Sequence, residues 1–165
     1  MPSPAGRLAA IYTSPLAGDA VIANQSVLVT PDGLEGDRYA AGAGSFSRWP
    51  ASYRAVSLIA QEALDAAASE FGVSMQAGEH RRNLVVSGVP LGDWRGVRFR
   101  IGDAELVGVR LCAPCKYLVR VTGQAAAFDA LVGRGGLRAR VAKPGRVTVG
   151  DRVEPVTREG GRLPG

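Results

Sequence analysis

A chain of 165 residues, 46% hydrophobic and 21% charged, has the size and composition of one folded domain with its own core, and excludes an intrinsically disordered chain. Its net charge of +5 comes almost wholly from Arg, because Lys116 and Lys143 are the only lysines. No basic run is interleaved with aromatics, which excludes a generic nucleic-acid interface. No apolar stretch nears the roughly 18 residues that span a bilayer, so no membrane partner is expected. "MPSPAGRLAAIYTSPLAG" lacks a charged start followed by an apolar block, so no signal peptide is read and the expected location is cytoplasmic.

In chain order, Gly6 to Pro15 and Ser26 to Thr30 read as strands, and the glycine-rich Pro31 to Pro50 as a long surface loop. "SLIAQEALDAAASEFG" predicts a helix, with Leu64, Ala67, Ala68 and Phe71 on one face, Ser57 capping its start and Gly72 its end. Arg82 to Gly88 reads as a short strand. In "VRFRIG", Val97, Phe99 and Ile101 alternate with Arg98 and Arg100, the pattern of a half-buried strand. Gly102-Asp103 then predicts a hairpin turn into "AELVGVRL". "KYLVRVTG" looks extended, "QAAAFDALVG" reads as a short helix, and "LRARVAKPGRVTVGDRVEPV" as two or three more strands. Gly-Asp recurs at Gly18, Gly36, Gly92, Gly102 and Gly150 without a fixed period, which marks turns rather than a repeat. The sum is a mainly β, α+β single domain, barrel-like or a sandwich, with its core over about residues 7–156 and a flexible tail at 157–165.

The only cysteines, Cys112 and Cys115, stand in "LCAPCKYL". In a reducing compartment they are functional or buried rather than a structural disulfide. A thioredoxin-like dithiol needs its first thiol at a helix N-terminus within a βαβ unit; the β-branched, extended-looking residues after Lys116 argue against it. A structural zinc site needs four ligands, and the chain adds only His80. Two buried thiols could also pack as small hydrophobes, although Pro114 and the flanking glycines place the pair at a strand end, where sites are built. The remaining reading is one working thiolate, able to hold a thiophilic metal or a persulfide and helped by nearby cations. Arg134, Arg138, Arg140, Lys143 and Arg146 form such a group with no acid among them, and "HRRN" (His80 to Asn83) adds two arginines. Each of these Arg residues also fits a solvated face. Together they suggest an anionic, phosphate-bearing ligand beside a sulfur.

"GLEGDRYA" (Gly33 to Ala40), "GEHRRNLVVSGVPL" (Gly78 to Leu91), "VGVRLCAPCKYL" (Val107 to Leu118) and "GRGGLRARV" (Gly133 to Val141) follow one another as in the MOSC family, related to the C-terminal domain of molybdenum cofactor sulfurase. The chain resembles the stand-alone bacterial members over about Arg7 to Val156. The resemblance implies a MOSC-type β-barrel-like fold and a cysteine that ligates molybdenum of a pyranopterin cofactor or carries sulfur for it. That position falls on Cys115; Cys112 is either auxiliary or a merely packed side chain. The family's Arg-x-Asn pattern falls on Arg81 and Asn83, its Gly-Asp-Arg on Gly36, Asp37 and Arg38, and its later basic segment on Arg138 and Arg140, all implied to bind the cofactor. The implied activity is reduction of N-hydroxylated small molecules with an external electron-donor protein. The alternative is a persulfide carrier or cofactor-delivery module served by a sulfur donor. The sequence departs from the reductases in lacking a His-Gly-Gly-like stretch after Arg38 and in placing Arg82 between Arg81 and Asn83.

Overall fold

A computed structural model of the chain describes residues 6–14, 21–37, 55–75, 80–113, 119–120 and 122–156. The strands are β1 (Gly6–Thr13), β2 (Ile22–Asn24), β3 (Ser26–Thr30), β4 (Gly33–Leu34), β5 (Val56–Ala60), β6 (Leu84–Ser87), β7 (Arg98–Ile101), β8 (Ala104–Leu111), β9 (Leu137–Lys143), β10 (Gly145–Thr148) and β11 (Arg152–Pro155). Helix α1 spans Gln61–Phe71, α2 spans Ala127–Ala130, and a 3₁₀ turn covers Leu91–Asp93.

The main sheet runs β11-β7-β8-β9-β5-β6-β1-β2, and β1 pairs again with β11 through Gly6↔Val153 and Arg7↔Arg152. Seven strands therefore close into a barrel with β2 outside it, which leaves the barrel strands no open edge. Alternation sets which side chains fill it. In β7, Phe99 and Ile101 are buried while Arg98 and Arg100 are exposed, as the sequence predicts. Leu8, Leu58, Leu84, Phe99, Leu106 and Leu137 belong to one cluster. Each such side chain contributes about 1.5–3 kcal/mol by leaving water. A second sheet, β10-β3-β4, adds Val27, Val29, Leu34 and Val147 to that cluster.

The predicted long helix is corrected at its start. Val56–Ala60 forms a strand, parallel to β6 and antiparallel to β9. A parallel pair needs a crossover, and α1 supplies it. So one βαβ unit exists, but Cys112 follows β8 and lies outside it. Helix α1 and the segment from Ala127 to Leu131 cover the outer face of β5 and β6, burying Ile59 and Val85 with Ala63, Ala67 and Leu131. That is why β5 reads as an apolar run broken only by Ser57. Ser57 is a strand residue rather than a helix cap, and α1 starts after Ala60 with no side-chain cap bond. The buried face carries Ala63 and Ala67, leaving Phe71 42% exposed. Gly72 ends the helix as predicted, left-handed at φ 65°, its N–H donating to Ala68 O at 3.1 Å.

Within the stretch expected to be extended, Val119, Arg120 and Thr122 are helical, and Gly123 N–H donates to Val119 O at 2.9 Å. Its β-branched residues are overridden by context. The Gly102-Asp103 hairpin forms, pairing Ile101 with Ala104, and the last stretch gives three strands.

Candidate functional site

Asn83, the residue before β6, stands in one row with Ser57, Arg138 and Arg110 on β5, β9 and β8. Ser57 is the register partner of Arg138, and Arg138 of Arg110. Asn83 lies next to Ser57, accepting at Oδ1 from Ser57 N–H and Ser57 Oγ, both at 3.1 Å. Asn83 Nδ2 donates to Tyr12 O at 3.2 Å, and Tyr12 N–H donates back to Asn83 O at 2.7 Å. The Asn83 side chain thus clamps β1, β5 and β6 together. Arg138 Nη1 is a buried atom. Arg140 is exposed, two residues along and opposite Val107.

Beside this row the chain makes a tight turn at His80–Arg81–Arg82. His80 is buried, and its Nδ1 accepts from Arg82 N–H at 3.0 Å. This side-chain-closed turn holds Arg81 at φ 64°, the one left-handed non-glycine residue among those described. Such a backbone costs about 1–2 kcal/mol, and outliers of this kind cluster at functional sites. Burial first, and the Arg82 charge second, lower the His80 pKa to about 4, so its ring is neutral and its Nδ1 free to accept. Tyr12 packs edge-on against it at 5.4 Å.

From that turn, Arg81 Nη2 reaches Ser14 Oγ at 3.5 Å, and Ser14 N–H donates to Asp37 Oδ1 at 2.9 Å. Asp37 is buried, and Arg81 Nε is a buried atom. Asp37 and Arg81, more than forty residues apart in sequence, are therefore joined through Ser14. Arg82 turns the other way, donating from Nε to Gly135 O at 2.8 Å. Cys112 N–H donates to the adjoining Gly136 O, also at 2.8 Å. The Gly135–Gly136 segment is thus gripped by the arginine turn on one side and by the end of the cysteine strand on the other. Gly136 has φ 113°, and a Cβ there would strike Leu58 O, so only glycine lets this segment lie against β5.

Cys112 is a free, half-buried thiol. It lines a cleft of about 550 Å³ with Leu91, Leu111, Phe128, Val132 and the glycines of the Gly133–Gly136 segment. Among the described residues no three His, Cys, Asp or Glu side chains gather as metal ligands. Cys115 and Arg38 lie outside the described residues. The structure brings Asp37 and Arg81 together, sets Asn83 and Arg138 in the adjoining row, and leaves Arg140 further out. Sequence reasoning missed Ser14, which carries no motif, and mistook Ser57 for a helix cap. His80 it weighed only as a zinc ligand.

The fold has close counterparts among solved structures. The YuaD protein of Bacillus subtilis superposes with a TM-score of 0.79 at 20% identity, covering 94% of this chain and 98% of that one. YiiM of Escherichia coli gives 0.65 at 23% identity over 94% and 72%. YiiM of Geobacillus stearothermophilus gives 0.69 at 17% over 93% and 76%. Comparison with curated proteins found no match. The sequence profile of the MOSC domain matches residues 36–154, a span that holds Asp37, the arginine turn, both cysteines and the basic strand β9, and the chain belongs to the MOSC domain family.

Proposed function

We propose that this protein binds a molybdenum pyranopterin cofactor, with the Cys115 thiolate as metal ligand, and reduces N-hydroxylated small molecules. The observation that carries the reading is the double grip on Gly135–Gly136. It fastens the end of the cysteine-bearing strand to the same segment that Arg82 holds, directly beside Arg81. Cys115 follows Cys112 by three residues, so chain connectivity keeps it within about 11 Å of Cys112.

The residues present suit such a group. Buried guanidinium nitrogens on Arg81 and Arg138 are matched to phosphate oxygens. Arg81 is held in a strained turn, its guanidinium near Ser14. In this account Arg81 and Arg138 bind the cofactor's anionic end and Arg38 assists. Asp37 holds the Ser14 N–H and so fixes the residue whose Oγ meets Arg81, and Asn83 holds the strands in register beneath. Arg140, more exposed, adds charge at the rim. When bound, the cofactor supplies a metal able to take an oxygen atom from the substrate. Converting an N-hydroxyl group to N–H and water consumes two electrons and two protons, so the reading requires an external electron-donor protein.

The departure at Arg82 and the absence of a His-Gly-Gly-like stretch favour keeping a second reading: Cys115 carries a persulfide for delivery to a molybdoenzyme, without turnover. Intact-mass measurement separates the two. A persulfide adds about 32 Da, one sulfur, to Cys115 and is removed by reductant. Reduction of an N-hydroxylated compound by molybdenum-loaded protein with a chemical electron donor, lost in Arg81→Ala and Cys115→Ser alike, supports the enzyme. Loaded protein with no turnover and a reducible sulfur adduct on Cys115 refutes it in favour of the carrier.

A further inference from the structure

The described lining of the cleft beside Cys112 is largely apolar. Leu111, Phe128 and Val132 line it, three of the six large hydrophobic side chains exposed among the described residues. They converge on one concavity instead of scattering over the surface, and a gathered apolar patch marks a binding site. The one charged residue of its described lining is Arg134. That guanidinium is directed elsewhere: Nη2 pairs with Glu70 at 2.9 Å, Nε donates to Ala130 O at 2.7 Å, and its carbon lies 5.6 Å from the Phe71 ring centre. The Gly133–Gly136 wall lets a ligand approach the backbone closely. At about 550 Å³ the cleft falls in the range of small-molecule sites, roughly 300–1,000 Å³. Gly135 and Gly136 form part of its wall, and Gly135 O is also the acceptor of Arg82 Nε, so the cleft adjoins the arginine turn through this segment.

We propose that this cleft takes the uncharged, apolar body of the substrate, an aromatic or similarly flat molecule lying against Leu111, Phe128 and Val132 with its polar group directed to the Cys112 end of the cleft. The orientation rests on the cofactor reading above; the occupancy does not. Binding here selects neutral apolar compounds over charged ones of the same shape, because the one charge in the described lining, Arg134, is already paired with Glu70.

Cys112 in the cleft wall reports occupancy. Cys115→Ser leaves Cys112 the only thiol in the full-length chain, and its alkylation by iodoacetamide is followed by mass spectrometry. With 2-naphthamide at ten times its dissociation constant, alkylation slows roughly tenfold by mass action. The same ring bearing a carboxylate, 2-naphthoate, protects far less despite the protein's net positive charge. Val132→Asp, at a 57% exposed position, raises the half-protection concentration about tenfold or more, and Phe128→Ser weakens protection in the same direction. Absence of protection by 2-naphthamide overturns the proposal. So does equal protection by 2-naphthoate, or an unchanged midpoint in both variants while they melt like the parent. Molybdenum content of the wild type is measured separately: protection without molybdenum sinks only the cofactor reading, and molybdenum without protection sinks only this one.

Discussion

Asn83 is where a cofactor-binding role and a structural role predict different outcomes. The resemblance assigns it to the cofactor, yet its amide already makes three bonds, from Ser57 N–H, from Ser57 Oγ and to Tyr12 O. Asn83→Ala removes all three. At about 1 kcal/mol each, with an added penalty for leaving the buried Ser57 N–H and the Tyr12 carbonyl unsatisfied, the loss comes to roughly 3–5 kcal/mol. For a domain of this size, 1 kcal/mol moves Tm by about 2–4 °C, so a drop of roughly 6–20 °C is expected. The assay is thermal and urea unfolding of metal-free protein, where no cofactor contact contributes. A double-mutant cycle with Ser57→Ala should show coupling of about 1–2 kcal/mol. If metal-free Asn83→Ala melts within 2 °C of wild type, the clamp argument is refuted and Asn83 acts on the ligand instead; that threshold is about a single kcal/mol or less.

Three further outcomes follow from single residues. His80 has a folded pKa of about 4 against an ordinary 6.5, so the unfolded chain binds the proton more readily between those values. Its stabilising contribution is complete above pH 6.5 and lost as pH falls toward 4, up to about 3 kcal/mol. Urea midpoints from pH 4 to 7 should show this slope, and His80→Asn, which keeps an acceptor for Arg82 N–H, should flatten it. The Glu105 carboxylate is held below the usual glutamate range by Arg98 first, at 2.6 Å, and by Arg100, at 3.1 Å. Its contribution is present above that range and lost as pH falls through the lowered value; because both arginines are nearly half exposed, Glu105→Gln should cost only about 1 kcal/mol. Gly136→Ala sets a Cβ against Leu58 O at φ 113°, and should cost about 3 kcal/mol or more by denaturant unfolding, where a glycine of ordinary φ in open space would cost little.

Much of the barrel was legible because its strands alternate. Phe99 and Ile101 against Arg98 and Arg100 fix one face of β7, and Gly102-Asp103 fixes the hairpin after it. The helix over Ser57 to Gly72 was half misread because β5 is covered on its outer face by α1 and the α2 segment, so both faces are apolar and periodicity cannot separate strand from helix. The two-residue β4 and the three-residue β2 are too short to carry a pattern. Val119, Arg120 and Thr122 are helical where β-branched residues suggested extension, so that part of the case against a redox dithiol no longer stands; what remains is that Cys112 follows β8 and lies outside the one βαβ unit. At the site, the resemblance implied only that Asp37 and Arg81 both bind the cofactor, not that they are joined. Ser14, which joins them, and the His80 Nδ1 bond to Arg82, which sets the Arg81 backbone, are long-range or conformational facts that no local motif encodes.

Cys115 as a metal ligand is the claim on which the functional account turns. The direct measurement is molybdenum content by plasma mass spectrometry, on protein made in a host that synthesises the cofactor, with wild type and Cys115→Ser purified side by side. The account predicts molybdenum near one equivalent in the wild type and its loss in the variant, with both proteins folded alike. Molybdenum retained in full by Cys115→Ser, or zinc in its place in the wild type, would contradict it.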